Sequence, residues 1–451
     1  MLPLVLLILI IPAAALPALL PSLGFIEDIT PTRIVGGVVF IWVLLRNASH
    51  SERSRIWSSS FSKWYLIFII ITLASGLYTA LIREEGAGVR ERFTQLLSFI
   101  LFLFVIMSCV KRLRDVETTI WASVIAMSVF GMASVLSFMF GGVKAQFHGR
   151  EAGLALDPNY LAVQLVLIIP MAGYLYQVTA NPSLKILAAC CTGILLLAEV
   201  STMSRAGIAV GLPAAAITVV CLSRHKAKVM AVLLVIMMMG GVLMMSTSAG
   251  RRFASQFMER IKKTRVVQDI REATSEAEVS TTARLSLFFA GIDMALRNPI
   301  IGVGPHNFFW SSINYGMFGK RPYLRNMAHN MYLSIGGELG LIALTSFLAM
   351  IWITLRDLVR IRKYAWSIGN MTAYHLSTSM IVALMSFCVA SLFIHSEGEK
   401  FFWLIMFLTV AFGRSMRAEY YDTSDESEPQ GERTISIDRA ERNPPSQMRY
   451  F

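Results

Sequence analysis

Residues 64–82 read WYLIFIIITLASGLYTALI, an unbroken apolar run without a charged side chain. As a helix rising 1.5 Å per residue, such a run crosses a hydrocarbon core of about 30 Å. Comparable runs recur at about 2–20, 32–45, 94–110, 116–140, 160–179, 185–203, 206–222, 229–246, 330–353, 374–394 and 400–414, twelve expected spans in all. The 451-residue chain is 55% hydrophobic and 16% charged, with a mean hydropathy of +0.58. Globular proteins carry about 25% charge. A soluble enzyme, a secreted disulfide scaffold and a coiled coil are thereby excluded. The expected fold is an all-α polytopic membrane protein of about twelve transmembrane helices, with a large extracytoplasmic loop containing short amphipathic helices.

Cys109, Cys190, Cys191, Cys221 and Cys388 all fall inside expected spans, without zinc-type spacing, which argues against disulfide or redox chemistry. Residues 2–20 lack a basic leader region and read as a retained span.

Charge sets the expected orientation. The 41 basic residues exceed the 29 acidic ones by 12. Short-loop clusters follow even-numbered spans: Arg46, Arg53, Arg55 and Lys63; Lys111, Arg112 and Arg114; Arg224, Lys226 and Lys228; Arg356, Arg360, Arg362 and Lys363. Basic short loops stay cytoplasmic, so both termini are expected inside and loops after odd spans outside. Arg83, Arg90 and Arg92 after the third span break the parity. Residues 1–416 are expected to form the membrane domain, with 247–329 as its large periplasmic loop. Residues 417–451 have the acidic, Ser- and Pro-containing composition of a disordered cytoplasmic tail.

The long loop is strongly basic, as a solvated or lipid-facing surface or as a site for an anionic substrate. Within it, Leu285, Phe288, Phe289, Ile292 and Leu296 share one face of an amphipathic helix expected to start at Arg284 and lie at the membrane surface. Asn298-Pro299 stops that helix. Gly302-Val-Gly304-Pro305 reads as a turn, since no strand precedes it to make a nucleotide loop.

Three places are able to carry chemistry. His329 stands at the mouth of the tenth span, just after Lys320, Arg321 and Arg325. It reads either as a packed interfacial residue or as a general base, imidazole titrating nearest neutral pH. Arg205 lies between two spans with almost no loop. An arginine in lipid costs about 2.5–3.5 kcal/mol, so it has a partner: Glu199, or a phosphate gripped bidentately. Before the sixth span come Lys144, His148, Arg150, Glu151 and the Asp157-Pro158-Asn159 turn and cap, with Arg150 adding an outward cation.

Four stretches in order, Asp157-Pro-Asn-Tyr-Leu-Ala, Ser204-Arg205-Ala-Gly, Arg284 with Asn298-Pro-Ile-Ile-Gly-Val-Gly-Pro-His-Asn-Phe, and Ala328-His329-Asn330-Met-Tyr-Leu-Ser-Ile-Gly-Gly-Glu338-Leu-Gly340, resemble the bacterial O-antigen ligase/polymerase superfamily. The resemblance runs from about 150 to 402, and the first five spans carry none of it. It implies an integral membrane glycosyltransferase of the bacterial inner membrane that acts on undecaprenyl-pyrophosphate-linked glycans at the periplasmic face. Arg205 and Arg284 would then contact the lipid pyrophosphate, and His329 the acceptor hydroxyl. Arg150, Asp157, Asn159, Lys320, Arg321, Arg325 and Asn330 are expected to contact substrate. Glu338, nine residues beyond His329, should face the opposite side of the helix at about 100° per residue and pack rather than orient the base.

Physical chemistry gives that assignment a rationale. A sugar hydroxyl attacks the anomeric carbon as pyrophosphate departs, and two guanidinium groups stabilise the growing charge. An imidazole removing the hydroxyl proton contributes about 10²–10⁴-fold. No metal or cofactor and no nucleic acid are expected; the bilayer itself is a partner. Lipid A core, a growing glycan and a protein hydroxyl all remain open as acceptors. Two rivals stand beside this reading. One is a polysaccharide flippase or secondary transporter, although its ionisable groups would sit near the bilayer midplane. The other is an acid- and metal-dependent membrane glycosyltransferase using Glu27-Asp28 or an exposed Glu397-x-Glu399 pair.

Overall fold

A computed structural model describes residues 1–11, 31–46, 59–82, 87–140, 146–147, 150–151, 158–223, 226–228, 246, 251, 255, 276–316 and 326–426. The helices run α1 (Leu2–Ile10), α2 (Pro31–Arg46), α3 (Ser60–Ile82), α4 (Ala87–Cys109), α5 (Leu113–Phe140), α6 (Pro158–Val178), α7 (Pro182–Ser201), α8 (Arg205–Leu222), α9 (Glu276–Arg297), the short α10 (Phe308–Ser311), α11 (Met331–Ser367), α12 (Met371–Ala390) and α13 (Lys400–Glu426). The strands described are a two-residue antiparallel pair, β1 (Gln146–Phe147) and β2 (Arg150–Glu151).

Among the described residues eight helices are long and apolar enough to cross a membrane: α3 to α8, α11 and α12. Each coincides with an expected span, and the all-α polytopic fold is borne out. The count of twelve is not reached. The expected span at 229–246 lies outside the described residues apart from Ser246, as does most of 12–30. In α2 the apolar part is the shorter Ile34–Leu45. The last helix, α13, continues to Glu426, past residue 416 where the tail was expected to start.

Helix α6 is the hub, packing on α7, α8 and α12, while α11 packs on α3, α9 and α12. In lipid, helices associate through close packing rather than exclusion of water. Aromatic rings fill the seam where α3, α4, α11 and α13 meet. Trp403 is buried there against Tyr65, Phe68, Phe99, Phe347 and Phe402, with ring centroids 5.0–6.3 Å apart.

The long helix α11 is two helices in series. Gly340 has φ 88° and ψ 172°, so the backbone ladder is interrupted there. Glycine is the residue that tolerates a positive φ, and a Cβ at this point would sit 2.7 Å from the Ile300 carbonyl. The turn after α9 fills the gap. Val303 and Gly304 donate their N–H groups to the carbonyls of Gly337 and Glu338, and Leu341 donates to Pro299. The carbonyls of Gly337 and Glu338 thus gain partners, as buried backbone must. Gly302 and Gly304, both at positive φ, make this close approach, so the sequence Gly302-Val-Gly304-Pro305 is a turn docked into a helix break.

Helix α9 starts at Glu276, two turns before the expected start at Arg284. It packs on α11, with Gly291 against Leu333 and Met294 against Gly337. Its buried stripe is Leu287, Ala290, Gly291 and Met294, at i, i+3, i+4 and i+7. The apolar residues singled out by periodicity lie elsewhere: Phe288 and Leu296 are exposed, and Leu285, Phe289 and Ile292 are half-buried. The helix therefore has two apolar faces. One face is buried in the protein and the bulky one stays partly or fully exposed.

Candidate active site

Five inter-helix junctions converge at one end of the bundle. Asn159 and Tyr160 come from the first turn of α6, and Ser204 caps α8 by accepting the Gly207 N–H. The Ser204 hydroxyl also donates to Asn159 Oδ1 at 3.2 Å, so Arg205 at the first position of α8 is fixed beside α6. Tyr160 hydrogen-bonds His395 Nε2, in the segment joining α12 to α13. His395 meets His329 edge to face, with centroids 5.9 Å apart. The positive charge of Arg284 in turn reaches His329. A continuous run of contacts thus links Ser204, next to Arg205, with Asn159, Tyr160, His395 and His329. The Arg284 charge acts on its end, so that five stretches far apart in sequence come together.

His329 has a left-handed backbone, φ 49°, immediately before the cap of α11. Non-glycine residues in that region are uncommon and cost of order 1–3 kcal/mol, so the surroundings must enforce it. The next residue shows how. Asn330 Oδ1 accepts the N–H groups of Tyr332 and Leu333, and its Nδ2 donates to Leu392 O. Met331 N–H donates to Ser391 O. Expected from sequence to contact substrate, Asn330 has its amide committed to capping α11 and tying it to the 391–395 segment.

The imidazole of His329 is pushed down to about pH 4 in its titration, by burial first, then by Arg284 and His395. It is therefore neutral at pH 7, the form in which an imidazole accepts a proton.

Beside this run lies a buried ionic cluster. Arg92, from the first turns of α4, approaches Glu338 at 3.4 Å and Glu397 at 3.6 Å, and donates to Gln95 at 2.8 Å. Glu338 also accepts the N–H groups of His306 and Phe308, and Glu397 accepts the Ser334 hydroxyl. Burial, then Arg92, lowers the titration of His306. Burial pushes Glu399 up to about 7, against the hydrogen bond from Gln164. Glu338 thus faces Arg92 and the loop after α9, as an ion-pair partner and backbone acceptor. Glu397 is buried and paired with arginine, which corrects the expectation of an exposed Glu397-x-Glu399 metal pair. The pairing also accounts for one of the cations that break the charge parity, since Arg92 is buried between two carboxylates.

Glu199 is fully buried at the end of α7, with both carboxyl oxygens lacking a hydrogen-bond partner and lodged against Gly207 and Gly211. The hydrogen-bonded Arg205–Glu199 pair considered from sequence does not form. Arg150 lies in β2, without a described side chain, and Asp157, Lys320, Arg321 and Arg325, like Glu27 and Asp28, lie outside the described residues. Sequence reasoning missed His395 and Arg92 as members of the site. His395 follows the expected span 374–394, and its partner Tyr160 lies 235 positions away.

These features define the class: a polytopic membrane protein whose inter-helix junctions gather arginines and imidazoles at one bundle end. The family model described as O-Antigen ligase matches residues 190–348, which include Arg205, Arg284, His329 and Glu338. The match bears out the resemblance to the O-antigen ligase/polymerase superfamily and supports a function of that type. No curated protein matches the chain.

Proposed function

We propose that the protein transfers a glycan from an undecaprenyl-pyrophosphate-linked donor to an acceptor hydroxyl at the periplasmic face of the bacterial inner membrane, with inversion and without a metal, in lipopolysaccharide or exopolysaccharide assembly. Arg205 and Arg284 grip the diphosphate, and neutral His329 takes the proton of the attacking hydroxyl. The proton leaves the acceptor oxygen as that oxygen bonds to the anomeric carbon and the glycosidic bond to diphosphate breaks. Growing charge on the diphosphate is met by guanidinium groups already in place, the kind of preorganised stabilisation that usually contributes most to catalysis. Arg150, Asp157, Asn159, Lys320, Arg321 and Arg325 extend the surface offered to the diphosphate and glycan.

The observation that carries this reading is the contact run from Ser204-Arg205 through Asn159, Tyr160 and His395 to His329, within reach of the Arg284 charge. A transporter needs no such cluster at one end. The test is glycan transfer by the purified protein in detergent, using lipid-linked donor and candidate acceptors. Product from wild type, and none from His329→Ala, Arg205→Ala or Arg284→Ala that still insert and express, is the expected result. A carrier makes no product there, and full activity in His329→Ala refutes the base assignment.

A further inference from the structure

The segment joining α12 to α13 lies beyond the family match and contains none of the four resembling stretches, yet it grips the residues around His329 at three points. Ser391 O accepts the Met331 N–H at 2.9 Å, Leu392 O accepts from Asn330 Nδ2 at 3.1 Å, and the His395 ring abuts the His329 ring. The segment is itself pinned. Ser391 and Ser396 hydroxyls bond each other at 2.7 Å, and Glu397 holds Ser334 and Arg92. Tyr160 of α6 then fixes His395 by a hydrogen bond to Nε2 and a perpendicular ring contact with centroids 5.3 Å apart.

His329 needs such a brace. Its backbone is in the left-handed region, and its ring must point at a hydroxyl to within a fraction of an ångström to act as a base. We propose that Tyr160 and His395 form a positioning pair for His329, with Tyr160 fixing the tautomer and ring plane of His395 and His395 fixing the His329 ring. This inference rests on the base role of His329 proposed above. Two charged or titratable groups besides Tyr160 bear on this pair of imidazoles in the interactions described: Arg284 of α9 on His329, and His306 of the loop after it on His395. In keeping with the geometry, His395 acts in the same direction as Arg284 on His329, disfavouring its protonated form.

Two readouts test the pair. Tyr160→Phe removes one hydroxyl, and His395→Phe keeps a ring without nitrogen. Each should lower kcat by about 10²-fold, the cost of a misplaced reacting group, with KM little changed. The double variant should be no slower than His395→Phe alone. His395→Gln, which keeps a partner for Tyr160, should recover part of the loss. The second readout needs no donor. The pH dependence of His329 carbethoxylation by diethyl pyrocarbonate, followed by mass spectrometry, should shift to higher pH in His395→Phe, which removes the imidazole that disfavours protonated His329. Wild-type turnover in both variants, additive losses in the double variant, or an unmoved His329 midpoint overturns the proposal. Activity retained in His329→Ala instead sinks the base assignment, and the carbethoxylation midpoint still decides whether the pair braces the ring.

Discussion

Replacing Arg92 by leucine removes the one cation between Glu338 and Glu397 in the contacts described. The side chains of Arg92, Glu338 and Glu397 are 7%, 4% and 11% exposed, so water does not replace the lost partner. Breaking a buried pair by deleting one member costs about 3–5 kcal/mol, because the other charge is left uncompensated. Glu338 keeps the backbone donors of His306 and Phe308, whereas Glu397 keeps the Ser334 hydroxyl on one oxygen and none on the other. The expected loss is therefore near the lower end, about 3 kcal/mol. Reversible unfolding in dodecylsulfate mixed micelles, followed by tryptophan fluorescence, measures it. A double-mutant cycle with Glu338→Gln isolates the pairwise part, expected at about 0.5–3 kcal/mol. A destabilisation below about 0.5 kcal/mol, the scale of an ordinary surface change, with zero coupling, refutes the reasoning.

Because His329 titrates near 4 in the fold, the acidic limb of kcat/KM should fall well below the ordinary histidine value of about 6.5. Arg284→Gln should move that limb upward while lowering turnover, as a pH–rate profile records. The same depressed value makes His329 favour the folded state fully above about 6.5 and lose that contribution as pH falls toward 4. Stability of His329→Ala relative to wild type should therefore improve over that window in acid unfolding. Glu399 carries the opposite sign: its titration is raised to about 7, so its contribution is lost as pH rises from the unfolded value toward 7. Glu399→Gln should gain on wild type between pH 5 and pH 8 in thermal unfolding. Gly340→Ala should fail to express as folded protein in fluorescence-detected chromatography, since its Cβ meets the Pro299–Ile300 backbone at a positive φ. Gly193→Ala, at a helix position with open space around it, is the control.

Much of the membrane architecture was legible because span length is a strict physical requirement and apolar runs are long. Residues 64–82 and 330–353 read as spans and are helices. The candidate site was legible in sequence only as isolated residues, a charge in a place lipid disfavours, as with Arg205, or an imidazole at a span mouth, as with His329. Pairings across the sequence were not. Nothing in residues 87–95 announces that Arg92 meets Glu338 and Glu397, and Tyr160 gives no sign of His395. Such contacts depend on which helices become neighbours, and composition does not encode that. The face of α9 was misjudged for a related reason: side-chain size marked the bulky stripe, while the packed stripe is built from Leu287, Ala290, Gly291 and Met294.

The interruption at Gly340 divides the load carried by α11. The stub from Met331 to Leu339 is bolted to the turn after α9, to Arg92 and to the 391–397 segment, whereas the longer portion runs on from Leu341 to Ser367. With the helical backbone ladder interrupted there, a change in tilt of the longer portion is expected to reach the stub and His329 only weakly. Changes in lipid chain length should accordingly alter the inclination of the lower shaft and leave the rate of the chemical step nearly constant.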